Sequence, residues 1–431
     1  MQQALPPELW RECIRWATLP PLGRLPLNDP PTCLSPWTPG CLAQGAFEEA
    51  ADYSHAYEQH QIYPRKRALM LVCKAWTELA IEFLYESILV DMFGIGSAEK
   101  FVAVLRTPGR GSQFAWWVNR VDMNSRIKDH ILTIQKLCPN LHVFNMFNGD
   151  HNNQGHYLAH LPFLHPESRL TTLSVTPVTL STIFETSPST LGHLRYLTII
   201  VENNAGLWGS ISIPIIPPLP QLISLTAVVL DWNGTAPFVP IESWSCPCLT
   251  HLTIHFWNDL KDVSGVVEHF GSQLTFFAFT LTEPYTSPFT MYSFLKAMPN
   301  LKELVTPQLF PRITHAELGP LQGFSHPNIE VLGFPVHSIP AHQVDGFSAE
   351  YVQRIYILFP KLRAVRITSA QRGYSAAYCQ KNPDQDRLKH LQMFASILEG
   401  FKIVLEDPTG QDVRHYILEA GKLCLPMQSS Q

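Results

Sequence analysis

The segment GDHNNQGH, Gly149 to His156, places Asp150, His151 and His156 in one short polar stretch. Carboxylate and imidazole are donor types that hold divalent metals. Here they sit among Gly and Asn, which favours a polar turn over a metal site. Cys246 and Cys248 form a CxC with no second pair at metal-ligand spacing. Cys73 has only Lys74 as a basic neighbour and falls on an apolar helical face, which predicts a core thiol rather than a nucleophile. The pair Trp116-Trp117 reads as packing rather than as a ligand platform. No GxxxxGK[ST], GxGxxG, HExxH or GxSxG occurs, and no nucleophile, base and oxyanion donors assemble. The expectation is a protein without catalytic activity, cofactor or metal.

Composition narrows the classes further. The 431 residues are 45% hydrophobic and 16% charged, with a formal net charge of -5 and 36 prolines. A large core is expected, punctuated by many turns. No basic stripe appears, which argues against nucleic acid or an anionic membrane as partner. No apolar run reaches the ~18–20 residues of a membrane span, and the N-terminus MQQALPPELWRE lacks a signal-sequence pattern. Nine cysteines at scattered spacings do not form a disulfide framework, so a reducing compartment, cytoplasmic or nuclear, is expected. The sequon Asn233-Gly234-Thr235 then reads as a turn.

A short phrase recurs along the chain: CPNLHVF from Cys138, LPQLISL from Leu219, CPCLTHL from Cys246, MPNLKEL from Met298, HPNIEVL from His326 and FPKLRAV from Phe359. Aligned on it, apolar residues fall at relative positions 1, 4 and 6: Leu141/Phe144/Met146, Leu170/Leu173/Val175, Leu194/Leu197/Ile199 and Leu222/Leu225/Ala227. The series continues through Leu249/Leu252/Ile254, Leu274/Phe277/Phe279, Leu301/Leu304 with Thr306, Ile329/Leu332/Phe334 and Leu362/Val365/Ile367. Successive starts differ by 29, 24, 28, 27, 25, 27, 28 and 33 residues. Weaker copies flank the series at Val118/Val121/Met123 and Leu398/Phe401/Ile403. Helical patterns such as HILTIQKLC and YVQRIYILF precede the prolines, so each unit reads helix, turn, strand. The proline stops the helix just ahead of the strand.

An L-x-x-L-x-L frame of this period is the signature of leucine-rich repeats. The repeats resemble degenerate intracellular ones, without the Asn or Cys at position 9, which is Gly149, Val178, Glu202 and Trp257 here. The fold class expected is α/β, a leucine-rich-repeat solenoid over residues 91–410 with a parallel inner sheet and outer helices. Residues 411–431 would be a C-terminal cap or tail. Alternation along each strand puts Tyr196, Thr198, His251, Thr253, His255, Phe276 and Arg366, with Glu303, on the face opposite the frame. These are the candidate residues for binding a protein substrate.

Ahead of the repeats stand LPPELWRECIRWA, Leu5 to Ala17, and RALMLVCKAWTELA, Arg67 to Ala80. Pro7 and Glu8 suit a helix's first turn. Leu9, Cys13 and Trp16 then form one apolar stripe at helical spacing, and Leu69, Val72, Cys73, Trp76 and Leu79 another. Together the two pieces resemble the F-box, whose motif is LPxEL with an apolar residue five positions on, followed by LxxVCKxW. The matching residues are Leu5, Pro6, Glu8, Leu9 and Ile14, then Leu69, Val72, Cys73, Lys74 and Trp76. The resemblance implies a small all-α domain over residues 1–90, interrupted by a Pro-rich insert at about 18–64. It implies an adaptor-binding surface of Leu5, Pro6, Glu8, Leu9, Ile14, Leu69, Val72 and Trp76, docking on a Skp-type adaptor and, through it, cullin. The function implied is that of a substrate-recognition subunit of an SCF-type ubiquitin ligase, with the repeats holding an unknown protein substrate. The alternative is a non-catalytic leucine-rich-repeat scaffold whose F-box-like helices only cap the solenoid.

Overall fold

The computed structural model describes residues 6–18, 63–90, 96–124, 128–147, 170–175, 180, 191–202, 218–230, 241–257, 261–281, 288–306, 324–334, 349–367, 385–406 and 412. The described strands form a twelve-stranded parallel sheet in which spatial order equals chain order. Two compact units are distinguished, one containing the described residues up to Cys248 and one beginning at Leu249.

The first unit opens with helix α1 (Pro7–Thr18), a helix over residues 63–70 (α2) and α3 (Lys74–Glu86). Helix α3 runs directly into β1 (Ser87–Val90). There follow α4 (Gly96–Leu105), α5 (Arg110–Trp117), β2 (Arg120–Asn124), α6 (Lys128–Leu137) and β3 (Val143–Phe147). Strands β4 (Thr172–Val175), β5 (Tyr196–Glu202) and β6 (Ser224–Leu230) complete it. The second unit holds β7 (His251–Trp257), α7 (Lys261–Phe270), β8 (Phe276–Leu281), α8 (Pro288–Ala297) and β9 (Glu303–Val305). It continues with β10 (Val331–Phe334), α9 (Ala349–Leu358), β11 (Ala364–Ile367), α10 (Gln385–Gly400) and β12 (Val404–Glu406).

The apolar frame aligns in space as it does in sequence. In the first unit, register pairs Val121 with Phe144, Phe144 with Leu173, Leu173 with Leu197 and Leu197 with Leu225. In the second it pairs Leu252 with Phe277, Phe277 with Leu304, Leu304 with Leu332 and Leu332 with Val365. All of these are buried, as are the frame leucines from Leu141 to Leu362. Each contributes roughly 1.5–3 kcal/mol of burial. The C-terminal weak copy is corrected: Leu405, not Phe401, pairs with Val365. Lys402 adopts a left-handed φ of 60°, and the turn that it closes delays the strand.

The recurrent proline does more than end a helix. The N–H of Leu141 donates to the carbonyl of Cys138, Leu222 to Leu219, Leu301 to Met298 and Leu362 to Phe359. Each is a β-turn with proline at its second position, where the ring presets φ. The carbonyl just after such a turn then accepts two N–H groups from the following repeat: His142 accepts from Thr171 and Thr172 in the first unit, and Lys302 from Glu330 and Val331 in the second. The turn thus fixes strand register before the strand begins.

Packing of the opposite face differs along the chain. In the first unit Thr172, Thr198, Ser224 and Thr226 are half-buried there. In the second unit Phe276, Ala278, Val305, Val331 and Ala364 form a second apolar cluster, with Val404 against it. A strand buried on both faces reads as continuously apolar, and FFAF and VLGF do.

Candidate functional site

The N-terminal helices are built around one small core. Ile14 of α1 packs with Ala80 and Phe83 of α3, flanked by Leu69, Met70, Trp76 and Leu79. The rings of Trp10 and Trp76 lie 5.2 Å apart. The buried edge of α1 is therefore carried by Trp10 and Ile14, one turn apart. Leu9 and Cys13, expected in that stripe, are exposed; the side chain of Trp16 lies outside the described residues. The second stripe is broken as well. The chain turns at Leu71 and Val72, so Val72 and Cys73 leave the helical face and become exposed. Cys73 is the N-cap residue of α3, not the core thiol its spacing suggests.

An ion pair holds α1 on α3, and the charge of α2 acts on α3. Arg11 engages both carboxylate oxygens of Glu82, with Nη2–Oε2 at 2.9 Å, and that partner raises the proton affinity of the guanidinium. Lys66 of α2 is buried, and burial lowers its pKa to about 8. Its charge faces Glu86, whose own pKa is raised by desolvation and held back by Lys66 and Arg15. Glu82 and Glu86 stand one turn apart on α3, and they gather cations from two helices separated by about 44 residues of chain.

These contacts fix relative direction. Trp10 meets Trp76, Arg11 meets Glu82, and Arg15 acts on Glu86, so α1 and α3 advance together. Their N-terminal ends consequently share one end of the module. Pro6, Glu8 and Leu9 are exposed there, and so are Leu71 and Val72, at 83% and 60%. Of the expected adaptor-binding residues, Pro6, Glu8, Leu9 and Val72 are thus on the surface. Ile14 is buried, and Leu69 and Trp76 are half-buried in the helical core. Leu5 and most of the insert, residues 19–62, lie outside the described residues.

The expected substrate-binding row is placed differently from a solvated face. In the first unit Tyr196 is buried and Thr198 half-buried. In the second, Thr253 and Phe276 are buried, Phe276 within the second apolar cluster. His251 is half-buried, stacks on Phe276 with centroids 5.6 Å apart, and is close enough to Thr250 Oγ1 (2.8 Å from Nδ1) to hydrogen-bond. Burial lowers its pKa. Arg366 is buried in an ion network, described below. The side chain of His255 lies outside the described residues. Thr198, His251 and Glu303 are the described members that keep partial exposure.

Three asparagines escaped the sequence reading. Asn140 Nδ2 donates to the carbonyl of Trp116 at 2.8 Å, Asn300 to Ser272 at 2.7 Å and Asn328 to Pro299 at 2.9 Å. Each reaches the turn of the preceding repeat. The signal lay in the third residue of CPNL, MPNL and HPNI, just before the frame rather than at its ninth position.

Among the described residues no group of three His, Cys, Asp or Glu could hold a metal, and no helix is long and apolar enough to cross a membrane. Asp150, His151 and His156 lie outside those residues. Cys138 and Cys246 are buried, which pushes both thiols up to about 12, far from nucleophilic thiolates. Compared with models of protein families and with curated proteins, the chain matches none.

Proposed function

We propose that the chain is a non-catalytic substrate-recognition subunit of an SCF-type ubiquitin ligase, cytoplasmic or nuclear. The observation that supports this reading is the shared end of α1 and α3. There LPPEL contributes exposed Pro6, Glu8 and Leu9, and LxxVCKxW contributes exposed Val72, while Ile14 and Trp76 pack beneath. A Skp-type adaptor docks on that end and leads to cullin. The sheet repeats, in this reading a leucine-rich-repeat solenoid, hold the protein substrate.

Exposed apolar residues cost little stability when replaced, so function and folding separate cleanly. Full-length protein is expected to co-purify with a Skp-type adaptor, and Leu9→Asp with Val72→Asp should lose at least tenfold in affinity at unchanged Tm. Full-length protein that fails to bind any such adaptor would falsify the ligase reading.

One observation favours the second reading, a repeat scaffold with a helical cap. Helix α3 leads without a break into β1, and the carbonyl of Glu86 accepts the N–H of Asn119 at 3.0 Å. The helices are thus built onto the first repeat, as a solenoid cap must be. In that case deleting residues 1–86 lowers Tm, and no adaptor is retained by the intact chain.

A further inference from the structure

Where α1, α3 and α5 meet, a cavity of about 180 Å³ opens to solvent. Sites for drug-sized molecules occupy ~300–1,000 Å³, so this one admits a single long side chain. Trp116 and Trp117 of α5 line it, and Trp116 is 60% exposed. An exposed indole beside carboxylates is an arrangement that favours cations over anions.

The charges confirm the sign. Three carboxylates, Glu12, Glu82 and Glu86, face two guanidiniums, Arg11 and Arg15. Arg11 and Glu82 engage each other with two contacts, which removes both from the balance. Arg15 stands 3.9 Å from Glu12, beyond hydrogen-bond reach, and its charge also acts on Glu86. Glu12 has a side chain 56% exposed and retains acceptor capacity. Asn140 uses one N–H of its Nδ2 on the Trp116 carbonyl, and its Oδ1 is an acceptor that a ligand can meet. Beside the two guanidiniums, the cavity offers carboxylate and amide acceptors and aromatic surface.

We propose that this cavity receives the guanidinium of an arginine side chain carried by a partner protein, packed against Trp116 and hydrogen-bonded to Glu12 and Asn140. A guanidinium carries five donors and no acceptor, and its plane stacks on aromatic rings. A phosphate or carboxylate would instead meet the excess of carboxylates. This inference is independent of adaptor docking, because it uses neither Leu9 nor Val72.

The test is a ligand-observed NMR titration of the full chain with N-acetyl-arginine amide, its neutral isostere N-acetyl-citrulline amide, and inorganic phosphate. The arginine probe is expected to bind saturably, at least tenfold more tightly than citrulline, with phosphate not competing. Trp116→Ala and Glu12→Gln should each weaken it at least fivefold. Both side chains are largely exposed, so Tm should hold, and Glu12→Gln serves alone if Trp116→Ala does not fold. Equal binding of arginine and citrulline, competition by phosphate, or no saturable binding overturns the proposal.

Discussion

Arg366 holds a single carboxylate oxygen of Glu406 with two nitrogens, Nε at 2.8 Å and Nη2 at 2.7 Å, and both residues are buried. The pair lies on β11 and β12. Arg366 Nη1 also stands 3.5 Å from Glu303 on β9, two strands away. Its paired residue on the intervening β10 is Gly333, which has no side chain to obstruct that reach. Arg363 completes the set, 3.5 Å from Glu406 and 3.3 Å from Glu330. An arginine proposed from sequence as a substrate contact thus serves as an internal tie.

Removing one member of a buried pair leaves an uncompensated charge, whereas replacing both with apolar groups does not. Glu406→Gln is expected to cost roughly 3 kcal/mol. The double change Arg366→Met with Glu406→Leu should cost clearly less. Urea midpoints of the single and double variants check this, and a double variant as unstable as the sum of the singles refutes it.

Asn328 donates to Pro299 and accepts from Lys361 Nζ at 3.2 Å, which joins three successive turns. Asn328→Ala should lower stability by about 1 kcal/mol, and Asn300→Ala by a similar amount. Asn328→Asp keeps the acceptor but loses the donor, so it should fall near Asn328→Ala. Denaturant titration gives the order, and a neutral Asn328→Ala would show that the ladder is ornamental.

His326 is held neutral by its two contacts. Its Nε2 meets the Met298 carbonyl at 2.9 Å and so carries the proton; Nδ1 faces the N–H of Asn328 at 3.4 Å and must accept. Charging it would place a second donor against a donor, and burial lowers its pKa below the usual 6.5. Below pH 6.5 the unfolded chain therefore binds more protons, so stability is present above that value and drains as pH falls. The Tm gap between wild type and His326→Gln should narrow from pH 7.5 to 5.5. Parallel curves would remove His326 from the acid response.

Lys66 predicts the opposite limb. Its folded pKa of about 8 lies below the ordinary 10.5, so between those values the unfolded chain binds more protons and stability rises with pH. Relative to Lys66→Met, wild type should gain up to about 3 kcal/mol from pH 8 to 10.5. Taking the difference cancels the buried thiols of Cys138 and Cys246, which titrate in both proteins. No change in the difference over that window would place the ammonium in solvent.

The repeat was legible because Phe144, Leu173, Leu252 and Leu304 each had to meet a neighbour one repeat away, and such neighbours recur at a readable interval. The face of α1 was not, since Leu9, Cys13 and Trp16 share helical spacing just as Trp10 and Ile14 do. Spacing alone does not say which stripe meets Phe83. Val72 and Cys73 were misplaced because a two-residue turn between helices leaves no Gly or Pro to mark it. The burial of Phe276 could have been foreseen from Ala278, Val305 and Val331, whose apolar character violates the alternation of a half-wet strand. Arg366 gave no such warning, because its partners Glu406 and Glu303 lie 40 and 63 residues away in the chain.

The identity of spatial and chain order has a consequence for how the protein comes into being. A strand here needs only the strand made just before it, never one still to be synthesised. At ~5–20 residues per second, a ribosome delivers a repeat of this length in roughly one to seven seconds. Local helices and turns form in microseconds. Each finished turn, with the carbonyl that follows it awaiting N–H groups, is a template for the next segment to leave the exit tunnel. The nascent chain can therefore gain structure at the pace of translation, with one growing edge to shield.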